Sequence, residues 1–255
     1  MNIWFLILIA FLAFGFIAFI RKWHDYALLF TIAIGFAVNA NIYNSFTNPV
    51  ACGNIIFAID SILYTGFMFT IMICAREYGV QKAKIITSST IAAILVSAVI
   101  ELLANISSFG FDWSYVTKFS SYVFSAIGTF GGVWSMLWVY EKLDKKKVNV
   151  YVNFAICILI ASVINSAIFY GFNVLTSGVT ENFGWILLGS YIGKVFSILL
   201  GLLVYFVNTH IWIPKGLEEK YKPIWQKNKQ KLQKIKENEH KNDENLEKDE
   251  NIKNE

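Results

Sequence analysis

The chain has 255 residues, of which 56% are hydrophobic and only 16% charged, against about 25% charge in a soluble domain. That composition excludes an ordinary soluble fold and points to a bilayer. The net charge of +4 does not describe a nucleic-acid-binding face, because eleven of the 22 basic residues and ten of the 18 acidic ones follow Pro214.

Apolar runs long enough to span hydrocarbon recur seven times. The first, 3–20, lacks a basic stretch before it and is followed by Arg21 and Lys22, so it reads as a retained helix rather than a cleaved signal. The second, 27–45, is interrupted by Asn39, Asn41 and Asn44. The third, 55–75, carries Asp60 near its start. The fourth, 85–104, carries Glu101, which shares a helix face with Ser97 and with Asn105 just beyond the run. The fifth, 119–140, holds a small-residue stripe of Ser121, Ser125, Gly128, Gly132 and Ser135. The sixth, 149–170, contains Asn165. The seventh, 184–208, has a second stripe of Gly189, Gly193, Ser197 and Gly201, and a single charge, Lys194, near its middle. Small residues mark where membrane helices approach one another. The expected fold is all-α: a polytopic membrane bundle of about seven helices over 1–214, followed by a charged tail over 215–255. That tail is basic to residue 236 and acidic beyond, too polar to bury a core, and reads as disordered.

Loop charge sets an expected orientation. The connections 21–25, 76–84 and 141–147 hold two, three and four Lys or Arg, whereas 46–54, 105–118 and 171–182 hold zero, one and zero. The positive-inside rule then places the N-terminus outside and the tail inside, in a multi-pass protein of the cell membrane. On this topology Asn41, Asn44, Asp60, Glu101, Asn165 and Lys194 all fall between mid-membrane and the outer surface. An ionised side chain at the bilayer centre costs about 2.5–3.5 kcal/mol, so it faces protein or water. The expectation is an outward-facing polar pocket with Lys194 at its floor, paired with Asp60 or Glu101 or meeting a ligand.

Cys52, Cys74 and Cys157 match no metal spacing or disulfide framework, and His24, His210 and His240 assemble no triad. No metal, no cofactor and no enzymatic activity are expected. The weak catalytic alternative is a Ser190–Lys194 dyad.

Four short motifs occur in order: VNANIYN (38–44), REYGVQKA (76–83), VINSAIFY (163–170) and GSYIGK (189–194). Together they resemble the queuosine precursor transporter family, also called the vitamin uptake transporter family, over about residues 27–210. One position departs: Ile73 stands where that family carries an Asp four residues before the Glu of its Glu-Tyr-Gly motif. The resemblance implies import of a 7-deazapurine such as the cyano or aminomethyl precursor of queuosine. Asp60 or Glu101 would read the paired N–H donors of a guanine-like edge. Asn41, Asn44 and Asn165 would complete the hydrogen bonding, and Lys194 would act as gate or counter-ion.

The expected partners are a small-molecule substrate and the lipid bilayer, with no nucleic acid. The chain lacks a P-loop. It would therefore work alone or as a homo-oligomer, or as the substrate-binding subunit of a cytoplasmic ATPase. A sensory or scaffolding module acting through the tail is the reading from a different class.

Overall fold

The computed structural model describes residues 3–23, 26–46, 50–52, 55–57, 59–177 and 183–212. The expected tail, 215–255, lies outside the described residues. Seven α-helices follow one another: α1 (Ile3–Trp23), α2 (Tyr26–Phe46), α3 (Ile59–Glu77), α4 (Val80–Phe109), α5 (Trp113–Lys145), α6 (Val150–Ser177) and α7 (Phe183–Val207). A π-helical turn, Asn208–Trp212, continues α7. Between α2 and α3 lie two short antiparallel strands, β1 (Val50–Cys52) in the expected loop and β2 (Ile55–Phe57) at the expected start of the third span, with Ala51 opposite Ile56. β2 packs against α7.

Four helices among the described residues are long and apolar enough to cross a membrane; they lie in α4, α5, α6 and α7. Their ends are set by local chemistry. Gly79 (φ 95°) turns the chain between α3 and α4, and Gly110 (φ 81°) closes α4, both in the left-handed region that favours glycine. The Asp112 carboxylate accepts the Ser114 N–H at 2.8 Å and caps α5. The Asn149 side chain accepts the Tyr151 N–H at 2.9 Å at the start of α6.

α3 is the axis of the bundle. Every residue from Ser61 to Ala75 is buried, and all six other helices pack on it. A helix buried all round is expected to be apolar all round; α3 keeps its charges to its ends, and its central Thr65 and Thr70 hydroxyls donate to the Ser61 and Gly66 carbonyls of the same helix. The most extensive pair is α5 with α6. It closes because Gly128 and Gly132 have no side chain: a Cβ on Gly132 would lie 2.8 Å from the Ala161 carbonyl oxygen, and one on Gly128 would lie 2.7 Å from the Asn165 side-chain oxygen. The α7 stripe makes a similar approach, where a Cβ on Gly201 would meet the Phe69 ring at 2.5 Å. Both stripes therefore mark helix contacts.

The surface is apolar as well as the core: Leu12, Val96, Ile100, Leu103, Leu199 and Leu203 are exposed, while a polar minority that includes Ser61, Thr65, Ser162, Ser166, Ser190, Lys194 and Ser197 is buried. Exposed apolar surface with charge and hydroxyls turned inward is the arrangement hydrocarbon requires. Cys74 and Cys157 are buried free thiols.

Candidate functional site

Part of the polar interior converges on one place. Five helices surround one cavity: Ala40 from α2, Asp60, Ser61 and Tyr64 from α3, Ser125 from α5, Asn165, Ser166, Phe169 and Tyr170 from α6, and Lys194 from α7. It lies toward the start of α3, at the end of the bundle opposite the α3–α4 turn.

Lys194 is only 4% exposed. Its ammonium donates to Ser166 Oγ at 2.5 Å. It also lies 6.0 Å from the Tyr64 ring centroid and 5.9 Å from that of Tyr191. An ammonium carries three donors, so the one protein acceptor leaves two of them for the cavity. Asp60 sits in the first turn of α3, where its Oδ1 accepts the Ser61 N–H at 2.8 Å and the helix N-terminus favours a negative charge. Its charge and that of Lys194 interact across the cavity. No hydrogen bond or close ion pair joins them directly, so the direct pairing expected from the sequence is replaced by a shared chamber.

Hydroxyl groups line the space between. Ser61 Oγ and Ser190 Oγ are 3.0 Å apart, linking α3 to α7. Among the buried polar atoms of the described residues that lack a partner, two belong to residues lining the cavity: the Tyr64 hydroxyl and Asn165 Oδ1, the latter packed toward Gly128 of α5. Buried polar atoms are nearly always satisfied, so these two are the lining groups that a turn of the side chain would offer to water or ligand. The cavity measures about 30 Å³, room for about two water molecules.

The structure places the remaining expected site residues as follows. Glu101 does not reach the chamber. It forms an ion pair with Lys118 and accepts from the Tyr122 hydroxyl at 2.6 Å, on the α4–α5 seam. Asn41 and Asn44 are in α2, but their side chains lie outside the described residues. The sequence reading missed Ser61, Tyr64, Ser166, Phe169 and Tyr170. Ser166 and Phe169 stand within the VINSAIFY segment beside Asn165. Tyr64 follows Asp60 by four residues, one helical turn on the same face.

A second cavity, of about 300 Å³, opens at the opposite end of α3 and α5 between Ala75, Tyr78, Gln81, Tyr140, Glu141 and Asp144. Met68, Met72, Met136 and Leu137 occupy the same two helices between the cavities, all fully buried.

Comparison with protein-family models, with curated proteins and with solved structures finds no match for this chain. The functional reading therefore rests on the geometry above.

Proposed function

We propose that this chain is an integral membrane transporter that imports a small polar molecule through the chamber shared by Asp60 and Lys194. The observation that carries the reading is the convergence of a carboxylate, an ammonium and a carboxamide whose oxygen lacks a partner, from three helices, around one cavity. A purely structural ion pair would close to contact and leave no orphan acceptor beside it. Transport is favoured over static binding by the second cavity at the far end of α3 and α5, with apolar side chains as the barrier between.

Together with the motif resemblance, the chamber's chemistry supports a 7-deazapurine of the queuosine-precursor type as substrate. Asp60 accepts the two adjacent N–H groups of a guanine-like edge, and Asn165 satisfies a further group. Tyr64, Phe169 and Tyr170 offer ring faces for stacking. Lys194 neutralises Asp60 before the substrate arrives. A bicyclic ring exceeds 30 Å³, so loading requires α2, α6 and α7 to part around α3. The loop-charge bias supports a chamber that opens outward and a larger cavity that opens to the cytoplasm.

The test is uptake of labelled queuosine precursors in cells unable to synthesise them. Wild-type chain restores uptake, and Lys194→Ala and Asp60→Asn do not. No uptake by the wild type removes the substrate assignment. Wild-type rates in both variants remove the chamber from the mechanism. Purification with a bound ATPase would assign the chain as the substrate-binding subunit of a larger importer.

A further inference from the structure

The α5 helix carries a surface stripe that the chamber does not use. Ile127, Phe130, Trp134 and Trp138 are exposed to the surroundings, with Trp138 at 58% and Trp134 at 38%. Spacings of three and four residues keep them along one side of the helix. Toward the end of α5 the stripe changes character. The Lys142 ammonium lies 3.3 Å from the Trp138 ring centroid. From the first turns of α4, the Lys84 ammonium lies 4.9 Å from the Trp134 ring centroid. Two cations from two helices are thus seated on neighbouring indoles at the mouth of an apolar track.

We infer that this seam is a binding site for an anionic phospholipid, its phosphate held between Lys84 and Lys142 and one acyl chain lying along Trp134, Phe130 and Ile127. The shape of the patch selects the ligand. A free phosphate would use the two ammonium groups but has no use for three helical turns of exposed apolar surface beneath them. A zwitterionic lipid matches the apolar track but brings its own cation to a site that already holds two. Trp side chains prefer the interface between headgroups and hydrocarbon, which sets the depth at which the lysines meet phosphate. The inference is independent of what the chamber transports.

Native mass spectrometry of the full chain, titrated with phosphatidylglycerol or phosphatidylcholine, tests it. Phosphatidylglycerol binds the wild type preferentially. A lysine near an anionic headgroup contributes about fivefold, so K84Q/K142Q loses about 30-fold in affinity for that lipid. K146Q/K147Q, at the same end but on no indole, changes affinity less than about threefold, which distinguishes a seated site from diffuse attraction to basic loops. W134A/W138A weakens phosphatidylglycerol with the lysines intact. Size-exclusion profiles and melting temperatures in detergent establish that each variant is folded. Equal affinity for the two lipids, equal losses in the two lysine pairs, or full competition by millimolar inorganic phosphate overturns the proposal. So does a dimer that dissociates on W134A/W138A, which would make the stripe a contact between copies.

Discussion

Lys194 is the residue whose cost is hardest to meet. It is buried in a helix otherwise suited to lipid, and its hydrogen-bond acceptor among the described residues is a serine hydroxyl. The chamber answers that cost by presenting Asp60 across a small polar space. Lys194→Met keeps the length and removes the charge, leaving the half-buried Asp60 without its counter-charge. Truncating one member of a desolvated charged set weakens ligand binding by about 2–5 kcal/mol, a loss that equilibrium binding of the labelled substrate would register; unchanged binding would show that the ammonium serves packing alone. Glu101 behaves differently. Its partners Lys118 and Tyr122 lie at the α4–α5 seam, and the Glu101–Lys118 ion pair is partly solvated. Glu101→Gln is expected to leave uptake intact and to lower stability by about 0–1 kcal/mol, measurable as a small shift in detergent melting. The contrast shows what the sequence could reveal. Depth follows from counting residues along a span, and depth placed Asp60, Glu101, Asn165 and Lys194 in one half of the bundle. Azimuth around the helix does not follow from counting, and azimuth separates Glu101 from the other three. Lys118, the one basic residue of its loop, was a visible signal of where Glu101 turns.

At the level of helices, the small-residue stripes were legible because close backbone approach admits few side chains. Gly132→Leu would drive a side chain toward the Ala161 carbonyl, starting from a Cβ position already 2.8 Å away. Overpacking of this kind costs about 1–3 kcal/mol. It should lower the melting temperature without altering the selectivity of whatever protein remains folded. A variant as stable as wild type would mean that α5 and α6 are more loosely joined than drawn. Helix lengths were less legible. The runs expected at 85–104 and 119–140 belong to helices Val80–Phe109 and Trp113–Lys145. Hydropathy reports the thickness of hydrocarbon, whereas backbone hydrogen bonding carries a helix on until a cap such as Gly110 or Asp112 stops it. The hairpin of β1 and β2 escaped notice because three-residue strands carry no readable alternation.

For the molecule as a whole, two cavities lie at opposite ends of the same helix pair with buried Met68, Met72, Met136 and Leu137 between them, and the proposed import makes them the two ends of one path. Single cysteines at Ser125, in the chamber, and Gln81, in the larger cavity, are expected to react with membrane-impermeant thiol reagents from opposite faces of a vesicle, in a background where Cys52, Cys74 and Cys157 are replaced. Labelling of both from one face would contradict the path. The enclosure of α3 has a consequence for biogenesis. From Ser61 to Ala75 this helix presents no side to lipid, and it carries Asp60 in its first turn and Arg76 and Glu77 in its last. A translocon, sampling segments one at a time, would release α3 poorly and retain it until α4 emerges to pair with it. In a glycosylation-reporter assay α3 alone should integrate inefficiently, and the α2–α4 segment should integrate fully.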